Sequence, residues 1–129
     1  MNRRTSVYVA GATHRNPIPS ACRVGDLVMS SVLNGVDPET GVIAPSLESQ
    51  CEFLFLQVRA VVTAAGGSMD DIVKMTIWMR DPDRRDILNR AWLAAFPDTQ
   101  SRPARHTLPL QMEAPRLVQG DFTAVLGRG

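Results

Sequence analysis

The residues best suited to chemistry in this chain gather in "SRPARHTLPLQM", residues 101–112, where Arg105 lies between Pro103 and Pro109 on a segment with strand character. Strand alternation places Ala104, His106, Leu108 and Leu110 on one face, and Arg105, Thr107 and Pro109 on the other. An arginine in this setting either points into water or anchors a ligand. On a stiff strand its five donors form a fixed fork that suits a carboxylate bidentately, which a lysine cannot match.

Other chemistries find less support. Cys22 and Cys51 belong to no Cys-x-x-Cys pair, and Cys51 falls on the apolar face of a predicted helix, where it reads as packing. His14 and His106 have no ligand spacing with each other or with a cysteine, so no metal is expected. Fourteen basic against thirteen acidic residues leave a net charge of +1, which gives no electrostatic reason to expect nucleic acid or an anionic membrane as partner. The most hydrophobic segment, "CEFLFLQVRAVVTAA", is interrupted by Gln57 and Arg59, so no bilayer span is expected. The apolar part of "MNRRTSVYVAGA" is too short and too polar for a signal peptide, and cytoplasm is the expected location.

The 129 residues suffice to bury a core and read as one domain, 1–129. "TSVYVA", "ACRV" and "DLVMSSVL" read as strands, the last two joined through Gly25 and Asp26. "VDPETG" reads as a turn. From Ser46 the period changes, and Leu47, Cys51, Leu54, Val58, Val61 and Ala65 recur at helical spacing until Gly66 and Gly67. Ser46 is the expected cap, with Glu48 and Glu52 suiting the positive end of the dipole. "DIVKMTIWMR" is the next strand. A second helix is expected from Asp81, as N-cap with Pro82 behind it, to Phe96, burying Ile87, Leu88, Ala91, Trp92, Ala95 and Phe96. "RHTLPL" and "DFTAVL" close the chain as strands. Two helices on one face of a mixed sheet is the economical α+β packing. The other face, assigned Met29, Val32 and Met75, is also apolar and needs a partner, so an oligomer is expected. The proline-rich "NPIPSACRV" is expected to be a mobile loop.

"RVGDLVMSS", "VDPETG", "MDDIVKMTIWMRD", "NRAWLAAFP" and "RPAR" stand in the order and spacing of the RidA family, also called YjgF or L-PSP, which the chain resembles over residues 16 to 126. The resemblance implies a chorismate-mutase-like fold, with a mixed six-stranded sheet backed by two helices. It further implies a homotrimer whose sheets form a central barrel with clefts between neighbours. In the family's deaminases those clefts hydrolyse enamines and imines to 2-oxo acids and ammonia, without metal or organic cofactor.

By this resemblance Arg105 is the carboxylate-binding arginine, whose clamp fixes where water attacks a planar 2-imino acid. Ser31 matches the serine of a Ser-Gly-Gln segment whose glycine and glutamine are here Val32 and Leu33. Asn89 matches a cleft asparagine, Ile18 replaces a tyrosine, and Thr107 replaces a common cysteine. Thr123 falls where the deaminases carry the glutamate that positions water. A threonine hydroxyl holds a water but accepts no proton from it near neutral pH. Asp121 shares a strand face with Thr123, about 7 Å away, and is a candidate to take over that role.

Three functions follow. The first is a RidA-like deaminase whose Ile18 and Leu33 make the cleft apolar. The second is a non-catalytic module binding a small carboxylate or 2-oxo acid at Arg105. The third is the family's endoribonuclease label, for which Arg80, Arg84, Arg85, Arg90 and Arg102 would meet phosphates. That third reading is weakened by the interleaved Asp81, Asp83 and Asp86 and by the lack of a histidine pair.

Overall fold

The computed structural model describes residues 3–12 and 14–127. Their strands are β1 (Thr5–Val7), β2 (Ala21–Val24), β3 (Leu27–Ser30), β4 (Leu33–Asn34), β5 (Ile72–Met79), β6 (Ala104–Pro109) and β7 (Val118–Val125). The helices are α1 (Leu47–Ala64) and α2 (Arg85–Ala95). Six strands run in the order β1-β2-β3-β7-β5-β6, and only β5 and β6 pair in parallel, across the connection that carries α2. This is the α+β, chorismate-mutase-like arrangement implied by the sequence, with one addition.

The addition is β4. The segment "DLVMSSVL" is two strands rather than one, lying end to end along the same edge of β7. Ser30 accounts for the break. Its hydroxyl accepts the Phe122 N–H at 2.9 Å and donates to the Ser31 carbonyl at 2.8 Å, so a side chain replaces the ladder partner.

Gly25, at φ 58°, opens the two-residue turn between β2 and β3. "NPIPSACRV" is not a loop throughout. Its second half is β2, paired on both sides, and Ser20 just before it is buried and bonded to Val9 and Ala12.

Helix α1 begins where the sequence places it. Ser46 and Ser49 cap each other's backbone reciprocally. Its apolar stripe is buried from Leu47 to Ala65, with two polar residues that periodicity does not reveal. Gln50 is fully buried and donates to the carbonyls of Ala44 and Pro115, at 2.9 and 2.8 Å, while accepting from the Leu117 N–H at 2.9 Å. Gln57 donates to the Gly11 carbonyl at 3.1 Å. Both glutamines tie irregular segments to the helix, satisfying buried backbone groups that have no strand partner.

The second helix starts later than expected. Asp81 caps a single 3-10 turn, Pro82–Arg84, by accepting the Asp83 N–H, and α2 proper begins at Arg85. Phe55 of α1 meets Trp92 and Phe96 edge-on, each at 6.2 Å between ring centres. This aromatic cluster joins the two helices above the sheet.

The core lies between helices and sheet, where Val28, Met75, Ile77, Met79, Phe122 and Ala124 point. Met75 therefore belongs to the helix side, not to the opposite face assigned from sequence. The opposite face has an apolar end, where Leu27, Met29 and Val125 are each about half exposed and lie beside one another across β3 and β7. Its centre is polar. Among the described residues, no helix is long and apolar enough to cross a membrane.

Candidate functional site

Arg105 sits on β6, the edge strand, in register with Met75, so its side chain emerges on the helix face. Helix α2 passes over this edge and presents one row of side chains at helical spacing: Arg85, Asn89 and Trp92. The guanidinium lies over the Trp92 ring at 4.9 Å from its centre and donates to Asn89 Oδ1 at 2.8 Å. The other side of Trp92 packs into the aromatic cluster, with Phe96 at 4.8 Å. A core residue thus forms the platform on which the arginine rests, and a cation over an indole face is stabilised electrostatically.

No carboxylate among the described residues lies within ion-pairing distance of Arg105. Partial burial pulls its pKa below the ordinary guanidinium value, and the nearby positive charge of Arg85 adds to that shift. It still carries its charge at neutral pH, because an arginine does not lose its proton in a protein. A half-buried cation with spare donors and a cationic neighbour makes a local positive potential suited to an anion. Thr107, two residues along the strand, is half-buried on the same face.

The remaining candidates separate into other groups. Asp121 and Thr123 do share a face of β7, opposite Thr76 and Lys74 of β5, but it is the face away from the helices. Arg105 and these two residues are therefore on opposite sides of one sheet. Lys74 Nζ lies 3.4 Å from His106 Nδ1 in this second group. Burial pushes the Asp121 carboxyl above its ordinary pKa, an effect only partly offset by the Thr76 backbone and the Lys74 ammonium.

Ser31 lies beyond the end of β3, three strands from β6, about 14 Å across the sheet. Its hydroxyl donates to the Pro19 carbonyl at 2.7 Å, which holds the exposed Ile18 segment nearby. Leu33 is a correction. It is 1% exposed and packs in the core against α1, apart from Arg105, so it does not make a ligand cleft apolar as the sequence reading expects.

Of the residues singled out from sequence, the fold brings Arg105, Asn89 and Thr107 together. Asp121 with Thr123 and Ser31 with Ile18 form two further groups. Trp92, read from the sequence as core, and Arg85, read as one of five clustered arginines, are the residues whose place near Arg105 the sequence reading missed. Their spacing from Asn89 was the available signal. Of the five arginines considered for phosphate contact, Arg84 pairs with Glu48 at 3.5 Å and Arg90 with Asp86 at 4.0 Å. Arg102 donates to the carbonyls of Phe96 and Pro97. Cys51 is buried, and burial raises its thiol to about 12, so it is inert as a nucleophile at neutral pH.

The Asp121 shift makes a prediction about stability. Its folded pKa is raised, so the folded state binds the proton more readily than the unfolded state does. Stability is then lost as pH rises from the ordinary carboxylate range through the raised value. Asp121→Asn removes that loss. Its melting temperature relative to the parent is expected to climb between acidic and neutral pH, and a flat difference across that range would contradict the assignment.

Comparison with known proteins bears on the family and the fold. The family model described as endoribonuclease L-PSP matches residues 4–117. A RutC family protein of Aquifex aeolicus is 32% identical over 102 residues, covering 75% of this chain and 82% of that protein. The 2-iminobutanoate/2-iminopropanoate deaminase of Salmonella typhimurium is 32% identical over 90 residues, covering 69% of this chain and 70% of the relative. Among solved structures, E. coli TdcF with bound serine superposes with a TM-score of 0.87 at 25% identity, covering 95% of this chain and 99% of the other. RidA from a Psychrobacter species of Antarctic origin gives the same TM-score, identity and coverage. The chain belongs to the endoribonuclease L-PSP family, that of RidA and YjgF.

Proposed function

We propose that the protein is a RidA-like hydrolase that binds small carboxylates at Arg105, in clefts between the subunits of a homotrimer, and converts 2-imino or enamine acids to 2-oxo acids and ammonia. The observation that carries this reading is the guanidinium fixed between Trp92 and Asn89 with no carboxylate partner among the described residues. A deaminase of imino acids among the relatives and a serine-bound neighbour point to the same ligand chemistry.

In the reaction, water adds to the imine carbon, the carbon–nitrogen bond breaks, and ammonia departs. Imine plus water gives 2-oxo acid plus ammonia, and no electrons are exchanged. Arg105 clamps the substrate carboxylate, with Thr107 beside it on the strand. Thr123 holds the water, and Asp121 is the nearby group able to accept its proton. Burial raises the proton affinity of Asp121 toward the range useful for that task.

Because Arg105 and Asp121 lie on opposite faces of one sheet, a site using both takes them from two copies. Ser31 and Ile18 would likewise come from a neighbour. The exposed apolar end at Leu27, Met29 and Val125 is a surface such an assembly would cover. An RNA-cleaving role has less support, since three of the five clustered arginines are engaged by acids or carbonyls.

The test combines light scattering with turnover of freshly generated 2-iminopropionate and of an aromatic imine. A trimer mass and 2-oxo acid release faster than in buffer are expected, with the rate reduced in Asp121→Asn. A monomer mass at micromolar concentration would remove the intersubunit cleft. Binding of 2-oxobutyrate without turnover would make the protein a carboxylate-binding module instead.

A further inference from the structure

Arg85 stands on the same row of α2 as Asn89 and Trp92, the two residues that hold Arg105, and its charge acts on that guanidinium. Neither arginine has a carboxylate partner among the described residues. Their surroundings make this unusual. Arg84 and Arg90, on the same stretch of chain, are both ion-paired, to Glu48 and Asp86. Asp86, the acid next to Arg85 in sequence, is thus turned toward Arg90. Arg85 lies one helical turn before Asn89 and two before Trp92, about 6 and 10 Å along the axis. These are the two residues that hold the Arg105 guanidinium. Two like charges placed along one face, without a counterion, repel each other until an anion lies between them.

A monocarboxylate on Arg105 neutralises one of the pair and leaves the other without a partner. A dicarboxylate satisfies both, with its second acid reaching up the helix to Arg85. Building on the carboxylate-binding role of Arg105, we propose that Arg85 is a specificity-determining residue that selects 2-imino dicarboxylic acids, and their 2-oxo diacid products, over monocarboxylates. The α-carboxylate lies on Arg105 under the Asn89 side, the reacting carbon faces the cleft, and the distal carboxylate meets Arg85. A hydrophobic side chain gains nothing at that end, whereas an acid gains a charge-assisted contact. The contact is exposed to solvent and therefore weakens with added salt.

The experiment is calorimetric titration of the intact protein, at low ionic strength, with 2-oxoglutarate and with 2-oxobutyrate as stable probes. The parent is expected to bind the diacid at least about tenfold more tightly, as one further charge-assisted contact warrants. In Arg85→Ala that ratio should fall to within about twofold, while in Arg90→Ala, a solvated arginine outside the row, it should stay at the parent value. Raising the salt concentration should shrink the parent's ratio. If the parent binds 2-oxobutyrate as tightly as 2-oxoglutarate, or if Arg85→Ala keeps the preference, the dicarboxylate inference is overturned while the carboxylate site stands. If neither acid binds the parent, both fall together.

Discussion

Arg105→Ala is expected to weaken the binding of 2-oxobutyrate by at least about tenfold, and imine turnover with it, while the protein stays folded. A hydrogen bond to a charged group contributes about 1.5–3 kcal/mol, and about 1.4 kcal/mol is one decade in affinity. The Trp92 platform and the Asn89 oxygen pre-orient the fork, so little side-chain freedom remains to be lost on binding. The same geometry limits the structural damage. Arg105 leaves no buried acid behind when removed, and Asn89 is exposed, so its oxygen can turn to water. The loss of stability should be about 1 kcal/mol, the scale of one exposed cation–π contact and one hydrogen bond. Arg105→Lys separates charge from shape: it keeps the charge but cannot form the bidentate pair, and should recover only part of the affinity. Titration calorimetry beside thermal melting checks both halves. Undiminished binding in Arg105→Ala, or collapse of the fold, would make the arginine structural.

The largest stability effect should come from a residue with no side chain. Gly35 follows β4 and lies directly against the backbone of Gln50 in α1, where a methyl group would collide with the Gln50 carbonyl oxygen and Cα. The Gly35 carbonyl accepts the Ala44 N–H at 3.0 Å, and Gln50 bonds to the Ala44 carbonyl, so the contact is fixed from both sides. Neither partner is a flexible side chain that can turn away. Gly35→Ala therefore forces the helix away from the chain leaving β4, and should cost about 3 kcal/mol, at the upper end of overpacking effects. Chemical denaturation would show this as a lowered midpoint with an unchanged slope. A cost below about 1 kcal/mol would mean that α1 moves outward freely, contrary to the packing of Gln50.

Much of this architecture is legible in the amino-acid order. The switch from period two to period 3.6 at Ser46, the serine cap and the glycine stop define α1, because helices and strands bury different spacings and helix ends need specific donors and acceptors. The motif order from "RVGDLVMSS" to "RPAR" carries the family, and Arg105 stands out because prolines flank it on a strand. Alternation also assigns Arg105 and Thr107 to one face, and Asp121 and Thr123 to one face, which the strand registers bear out.

What alternation does not decide is which side of a sheet meets the helices. When both faces carry apolar residues, the pattern reads the same either way, so Met75 is assigned outward though it is core. Leu33, placed in a cleft by the family resemblance, is core as well. Only the packing of α2 over the β6 edge puts Arg105 on Trp92 and brings it beside the α2 row that carries Arg85, leaving Asp121 on the far side of the sheet. The buried glutamines belong to the same class. Gln50 looks like a solvated helix residue until the chain around Ala44 and Pro115 folds back and needs its amide. Local periodicity determines the elements, because each is set by its own backbone geometry. The site is decided by long-range contact, because its charges and platforms come from segments that meet only when the sheet and helices close.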